Sequence, residues 1–168
     1  MPRKISLIKD IKISYETDWI KDLTKKIEHN YSKADNFLNI FRLLNLEFNK
    51  KHKKLIDLNL NLIKSIFSLF DIKTKIYFSS KLKSNSVKSE KILELCKILK
   101  CDEYITGQGS KNYLDVKKFE KNKIKVNFDI EFKRKYKQLN GKFIENLSVI
   151  DYLFNCYNGL EKNKLSNE

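Results

Sequence analysis

The chain has 168 residues, of which 41% are hydrophobic, so it can build one well-packed domain and a wholly disordered protein is excluded. Its formal net charge of +14 suggests a nucleic-acid partner, but only three of its 35 basic residues are arginine. Specific readers of phosphates and bases rely on arginine's planar fork, whereas Lys, Asn and Ile are favoured by AT-rich codons. We therefore favour codon drift as the source of the charge and expect no specific nucleic-acid partner.

Cysteine content and hydropathy indicate a reduced, cytoplasmic protein. The three cysteines form no CxxC pair, and their odd number does not suggest a disulfide framework. The start of the chain has no apolar run long enough for a signal peptide. No stretch approaches the roughly 18 consecutive apolar residues of a membrane helix, so we expect no membrane span.

The front half is predicted to be mainly helical. Residues 8–14 alternate weakly and suggest a short strand, and Asp18 is a suitable N-cap for a helix that runs to about Tyr31. Apolar residues at steps of three and four predict two further helices, over 34–48 and 53–70. The second of these has only a narrow polar stripe, so we expect it to be mostly buried.

The back half alternates predicted strands with predicted helices. Strands are expected at 74–78, 103–106 and 124–128, with helices near 92–99, 115–121 and 148–155. Strands separated by helices are typical of βαβ units and a parallel sheet. The expected fold is a single α/β domain, with a helical front half and a small, mostly parallel sheet flanked by helices.

Five short motifs carry a resemblance to a known family. They are, in chain order, Tyr31 with Ala34 and Phe37; Lys88 with Glu90, Leu93 and Cys96; Tyr104 with Gly107, Tyr113 and Leu114; Tyr136 with Gln138; and the run Leu147-Ser148-Val149-Ile150-Asp151-Tyr152-Leu153-Phe154-Asn155. In their order and spacing these motifs resemble those of the WbqC-like family, bacterial proteins encoded among surface-polysaccharide genes and elsewhere.

The chain departs from this family most clearly at its start. Family members usually begin with an aromatic-rich segment on a first strand, and residues 2–14 do not resemble it. The chain is therefore expected to correspond to the C-terminal portion of a full member and to form an incomplete version of the family fold. We expect a WbqC-like domain over 1–158 and a frayed tail over 159–168.

The resemblance implies a role in O-antigen or other surface-polysaccharide biosynthesis, as a transferase that moves glycine or another acyl group onto a sugar. A sugar or sugar nucleotide is then the expected partner, and no cofactor is predicted. The alternatives are an inactive truncated remnant without catalysis and, ranked last, a basic nucleic-acid-binding module.

The first candidate ligand site is a small-residue loop that follows a predicted strand, at the sheet edge where ligands bind in parallel α/β folds. Its candidate contacts are Gly107, Gly109, Ser110, Lys111 and Tyr113. The loop fits neither phosphate-binding consensus, because GxxxxGK[ST] is absent and Asn112 replaces the third glycine of GxGxxG. A tight turn that needs positive φ is the structural alternative, and both interpretations remain open.

The remaining candidates each have a structural explanation. Asp151 follows Ser148 by three residues, as in a capping box at a helix start, and Asn155 could cap the end of that helix. Lys88 could meet an anionic substrate, and Tyr136 and Gln138 could bond a sugar hydroxyl or simply pack. We favour structural roles for all of them and retain Lys88, Tyr136, Gln138 and Asp151 as ligand candidates.

Histidines and cysteines give no sign of a metal site. His29 and His52 have no partner four residues on, so neither a metal pair nor a Ser-His-Asp arrangement has local support. Cys101 and Cys156 lack ligand spacing, and Cys96 lies on the apolar face of its predicted helix, where we expect it in the core. We predict no metal.

Overall fold

A computed structural model describes residues 7–128 and 135–156. These residues form six α-helices and two β-strands: α1 (Trp19–Tyr31), α2 (Phe37–Asn49), α3 (Leu55–Leu69), α4 (Lys88–Ile98), β1 (Glu103–Ile105), α5 (Val116–Lys121), β2 (Lys125–Asn127) and α6 (Val149–Cys156). Short 3₁₀ helices cover Ile8–Asp10, Ser79–Lys81 and Gln108–Asn112. The expected α/β class is confirmed, and the tail expected over 159–168 lies outside the described residues.

The described residues group into two compact units. Residues 7–74 and 135–156 form the terminal unit, which contains α1, α2, α3 and α6. Residues 75–128 form the central unit, which contains α4, α5 and both strands. Each unit has its own hydrophobic core.

The core of the terminal unit comes mainly from α2 and α6. Ile40, Leu44 and Phe48 recur every four residues, so they share one face of α2, and all three are buried. Leu153 and Phe154 of α6 are 0% exposed and complete this core.

Helix α1 begins at the predicted cap, because the Asp18 carboxylate accepts a 3.2 Å hydrogen bond from the Lys21 amide.

Helix α3 is less buried than its sequence predicts. Leu58 is its one buried residue, and Ile63 is 42% exposed. The prediction of a mostly buried helix was therefore wrong. An almost continuous apolar surface allows a helix to be buried on most sides. The elements that pack against it determine how much of that surface is actually covered. Here α3 packs against α2 and the chain segment before α1.

The segment before α1 forms one bridge instead of the predicted strand. Ile8–Asp10 is a 3₁₀ helix, and Lys12 then pairs with Lys54 in a single antiparallel bridge. The Ile13 amide donates to the Lys53 carbonyl at 3.0 Å, which attaches this segment to the start of α3. The Leu55 amide adds a second bond, to the Ile11 carbonyl at 3.0 Å, but the ladder goes no further because the chain turns into α3 from Leu55 onwards.

The central unit contains the predicted βαβ unit. Strands β1 and β2 are parallel, with Glu103 opposite Lys125 and Ile105 opposite Asn127, and α5 lies between them in the chain. Phe119 of α5 is 0% exposed and anchors a core with four other buried residues, Leu93, Cys96, Leu114 and Ile124. Cys96 is therefore a core residue, as the sequence predicted.

The strand predicted at 74–78 is absent from the structure. These residues have no regular secondary structure, and Ile76 and Tyr77 are 38% and 56% exposed. Their alternating pattern is suited to a strand, but a strand also needs a neighbour to accept its backbone hydrogen bonds. The described sheet has two strands, and neither pairs with this segment.

Three helices end in the same motif without a glycine. Asp71, Lys100 and Lys123 follow α3, α4 and α5 with φ of 51°, 55° and 59°. After α4, the Lys100 amide bonds to the Lys97 carbonyl and the Cys101 amide to the Cys96 carbonyl, which defines a Schellman motif. Side chains other than glycine are disfavoured in this left-handed conformation, so these helix ends carry strain.

Candidate functional site

The loop predicted as a ligand site lies directly after β1. Thr106 still bonds to the sheet, since its amide donates to the Asn127 carbonyl at 2.8 Å. Gly107 follows, and Gln108–Asn112 then form a 3₁₀ helix. The loop therefore begins at the carboxyl edge of the two parallel strands, where α/β proteins bind ligands.

The two loop glycines are not required by backbone conformation. Gly107 has φ of −77°, and Gly109 lies outside the left-handed region as well. The alternative interpretation, a tight turn that needs positive φ, was therefore wrong. A Cβ atom placed on either glycine would meet no atom within 4 Å, so both glycines border open space.

Other loop residues hold the loop in place. Ser110 is 4% exposed, and its hydroxyl donates to the Gly107 carbonyl at 2.9 Å. The Gln108 amide donates to the Phe128 carbonyl at 3.1 Å, and the Lys111 ammonium lies 5.2 Å from the centre of the Phe128 ring. These contacts attach the loop to the residue after β2. Tyr113 is 55% exposed and is the loop's large accessible side chain.

Lys88 begins α4 in the same compact unit. It is exposed and has φ of 51°, in the left-handed region. Glu90, two residues later, forms an ion pair with Lys118 of α5, which raises the pKa of the lysine. The Ser89 hydroxyl accepts a 2.9 Å hydrogen bond from the Asp115 amide. The start of α4 is thus tied to the start of α5, next to Lys88.

The second group of candidates converges on one carboxylate in the terminal unit. Asp151 of α6 is only 5% exposed. Its Oδ2 accepts from the Tyr136 phenol at 2.6 Å and from the Gln138 amide at 3.1 Å. Its Oδ1 accepts from the Tyr31 phenol at 2.9 Å and from the Asn155 amide at 3.3 Å. Four side-chain donors therefore satisfy this buried charge, as buried charges require. We call these five residues the Asp151 cluster.

The capping explanation for Asp151 was wrong. In a capping box its carboxylate would turn back to the helix start, but here it accepts bonds from the surrounding side chains. Ser148 does serve that end of the helix, since its hydroxyl accepts from the Ile150 amide at 3.4 Å. Asn155 lies within α6 and donates to the Asp151 carbonyl, so its predicted role as a C-terminal cap was also wrong.

Gln138 and Tyr136 also organise the chain around the cluster. The Gln138 side chain accepts from the Ile144 amide at 2.9 Å and donates to the Ile144 carbonyl at 3.0 Å. The Tyr136 ring packs edge-on against Phe143 and Tyr152, with ring centres 5.3 Å apart in both cases. The segment between residues 136 and 144 is therefore folded onto α6 by these two side chains.

The cluster keeps its phenols protonated. Burial, followed by the hydrogen bond to Asp151, raises the pKa of Tyr31 to about 12. The same two causes raise the pKa of Tyr136. A protonated phenol donates to the carboxylate, whereas a phenolate beside it would repel it. The structure thus gives Asp151 an organising role, and direct ligand contact by Tyr136, Gln138 and Asp151 stays a prediction.

Two residues of this cluster escaped prediction as site residues. Tyr31 lies 120 residues before Asp151, and Asn155 was assigned to a cap. A signal was present, because both fall in the motifs that carry the family resemblance. Shared membership of those motifs could have placed Tyr31, Tyr136, Asp151 and Asn155 together.

Among the described residues, the histidines, cysteines and buried acids form a second polar group but no metal cluster. Within 7–128 and 135–156, no three of the metal-binding side chains (His, Cys, Asp and Glu) lie together. Glu47, which is 8% exposed, pairs with Lys50 at 2.6 Å, and its second oxygen lies 3.8 Å from His52 Nε2. This pairing was not among the predicted interactions. No helix in the described ranges combines the length and apolar content of a membrane span.

Comparison with known proteins adds family and relatives to this geometry. The sequence model of the WbqC-like protein family matches residues 2–162. An uncharacterised protein of Mycobacterium tuberculosis strain H37Rv is 34% identical over 141 residues, which cover 83% of this chain and 61% of that protein. The chain thus spans about six tenths of the length of this curated relative. No solved structure matches the chain.

Proposed function

Because the chain belongs to the WbqC-like protein family, we propose that it acts in the biosynthesis of O-antigen or another surface polysaccharide. The proposed activity is transfer of a small acyl group, such as glycyl, from an activated donor to a sugar. The sugar hydroxyl attacks the donor carbonyl, a new ester C–O bond forms, and the bond to the leaving group breaks. The hydroxyl proton ends on the leaving group.

The observation that carries this proposal is the open space beside Gly107 and Gly109. Neither glycine is needed for a left-handed backbone, and neither is held against another atom by close packing. Glycine at such positions leaves the backbone accessible to a ligand. The space lies at the carboxyl edge of the parallel strands, where the fold class binds its substrates.

The side chains around this space suit a sugar nucleotide. Tyr113 offers an exposed ring and a hydroxyl, which can pack on a sugar and bond to it. Lys111, together with the exposed Lys88 in the same unit, offers positive charge for a diphosphate. Ser110 contributes by holding the loop, since its hydroxyl proton is used within the loop.

A binding titration with a matched pair of variants tests the site. Gly107→Val adds a side chain to the open space, while φ of −77° and ψ of 161° are compatible with valine. Asn85→Val adds the same side chain at an exposed position elsewhere in the central unit. We expect Gly107→Val to weaken binding of nucleoside diphosphate sugars by about tenfold or more, a loss of about 1.4 kcal/mol, and Asn85→Val to leave it unchanged.

Two results would contradict the proposal. Equal affinities for the original chain and Gly107→Val would remove the loop as the ligand site. Failure of the folded chain to bind any nucleoside diphosphate sugar in the panel would contradict the wider function and favour a non-catalytic role. Duplex DNA serves as a further control, because the lysine excess predicts only weak binding with a steep salt dependence. Tight binding that survives moderate salt would favour a nucleic-acid-binding module.

A further inference from the structure

Helix α2 has a second apolar face, which points away from the core. Its buried face consists of Ile40, Leu44 and Phe48, as described above. On the other side, Leu38 and Leu46 are 79% and 60% exposed. Eight residues separate these leucines, so they lie about 12 Å apart along the helix. Two exposed leucines at this spacing are suited to contact one extended partner element.

The exposed leucines border a groove of about 640 Å³. It is lined by residues that recur along one side of α2 and its end: Leu38, Phe41, Arg42, Asn45, Leu46, Asn49 and Lys50. Phe41 also packs against the core, so the bottom of the groove is fixed to the body of the terminal unit. The groove is therefore shallow and open, with Phe41 as an apolar floor and two accessible leucines that an amphipathic helix can cover.

The charges at the groove are all positive. Arg42 and Lys50 line it, and no acidic residue of the described ranges does, but Lys50 is already paired with Glu47 at 2.6 Å. Glu47 lies on the same helix but is only 8% exposed, and it accepts bonds from Lys50 and Ser65. Among the described residues Arg42 forms no ion pair, so its guanidinium is available for a carboxylate.

We propose that this groove binds an amphipathic helix with acidic flanks from another protein. The apolar stripe of that helix would cover Leu38, Phe41 and Leu46, and its carboxylates would meet Arg42. A second copy of the chain fits less well, because pairing this face with itself would bring like charges together. The overall charge of +14 adds to that repulsion.

The groove differs from an isolated exposed apolar residue such as Val87. Val87, at 71% exposed, stands in the central unit between the polar residues Ser86 and Lys88. Single exposed apolar side chains of this kind are normal on protein surfaces. Leu38 and Leu46, in contrast, share one groove, and this arrangement is what points to a partner.

Three designed peptides test the proposal by fluorescence anisotropy with the full chain. The first is a helix with leucines on one face and glutamates flanking them, the second has lysines in place of the glutamates, and the third is a scrambled form of the first. The scrambled peptide measures general attraction to a chain of charge +14. We expect the first to bind at least about tenfold more tightly than either of the others.

Matched variants locate the binding. We expect Leu46→Glu to weaken the binding of the first peptide about tenfold. Val87→Glu adds the same charge at another exposed apolar site and should have little effect on this affinity. Arg42→Gln should weaken it several-fold more than Lys117→Gln, an equal loss of charge at an exposed residue of the central unit.

Several outcomes would overturn the proposal. Equal binding of the original and scrambled acidic peptides would reduce the effect to general charge attraction. Equal effects of Leu46→Glu and Val87→Glu would place the binding elsewhere. Dimerisation of the chain in sedimentation experiments, abolished by Leu46→Glu, would assign the groove to a second copy instead.

Discussion

The phenol of Tyr136 donates a 2.6 Å hydrogen bond to Oδ2 of Asp151, deep in the terminal unit. Tyr31 donates to the other oxygen of the same carboxylate from α1. One charged group thus joins α1, the segment at Tyr136 and α6. Because the donors are neutral and the acceptor is charged, each bond is of the stronger, charge-assisted kind.

Replacement of Asp151 by asparagine tests this organising role. The variant keeps the shape of the side chain but replaces one accepting oxygen with an amide that donates. Two of the four donors would then lose their acceptor, so we expect the free energy of unfolding to fall by about 3 kcal/mol. Asp57→Asn is the control, because Asp57 is exposed on α3. This variant should lose less than about 1 kcal/mol of unfolding free energy. If urea denaturation gave similar losses of unfolding free energy for the two variants, the Asp151 cluster would contribute little to stability.

The raised pKa of Tyr31 predicts how stability changes at alkaline pH. Its folded-state pKa, about 12, exceeds the ordinary value of 10, so the stability contributed by the protonated phenol is complete below pH 10 and is lost as pH rises towards 12. Tyr31→Phe lacks this contribution. We expect it to be about 2 kcal/mol less stable than the original chain at neutral pH, with the gap narrowing between pH 10 and 12. A gap that stays constant over that interval, measured by urea denaturation at each pH, would contradict the assignment.

The strained helix ends predict two stabilising changes. Lys100 and Lys123 hold the left-handed position of a Schellman motif, where glycine has no steric penalty. We expect Lys100→Gly and Lys123→Gly each to raise the free energy of unfolding by about 0.5–1 kcal/mol, after the greater freedom of glycine in the unfolded chain is subtracted. Lys91→Gly, inside α4, should lower it by about 1 kcal/mol. Destabilisation by all three changes, measured by thermal unfolding, would show that the left-handed lysines carry no strain.

Burial predicts that Cys96 reacts slowly with alkylating reagents. It is 6% exposed, and burial, followed by the neighbouring Cys101, raises the pKa of its thiol. Because the thiolate is the reactive form, Cys96 should be modified by iodoacetamide much more slowly than the half-buried Cys101. Mass spectrometry of the alkylated peptides gives both rates. The difference should vanish in denaturant, and equal rates in the folded chain would contradict the structure.

Local patterns were sufficient to predict most of the helices and the βαβ unit. Helix α1 begins at its predicted cap because the Asp18 carboxylate acts within one turn. Strands β1 and β2 were expected because apolar and β-branched residues alternate on either side of a short helix. Such features depend on neighbours in sequence, which a single chain displays directly.

The errors arose where partners distant in sequence decide the outcome. The segment 74–78 has the composition of a strand but no neighbouring strand in the described sheet. Asp151 has the spacing of a capping box, yet Tyr31 and Tyr136 provide stronger bonds for its carboxylate than the helix start does. A spacing of three residues cannot reveal a donor that lies 120 residues away.

The order of the two units along the chain has a consequence during synthesis on the ribosome. The described residues of the central unit, 75–128, are continuous in the chain, so all of their contacts can form soon after this segment leaves the exit tunnel. The core of the terminal unit can be completed only after α6 is synthesised, because Leu153 and Phe154 pack in the same core as Ile40 and Leu44. Until α6 is translated, the apolar faces of α1, α2 and α3 lack that part of their partner surface. Chaperones that recognise exposed apolar segments should therefore engage the nascent chain at α1, α2 and α3.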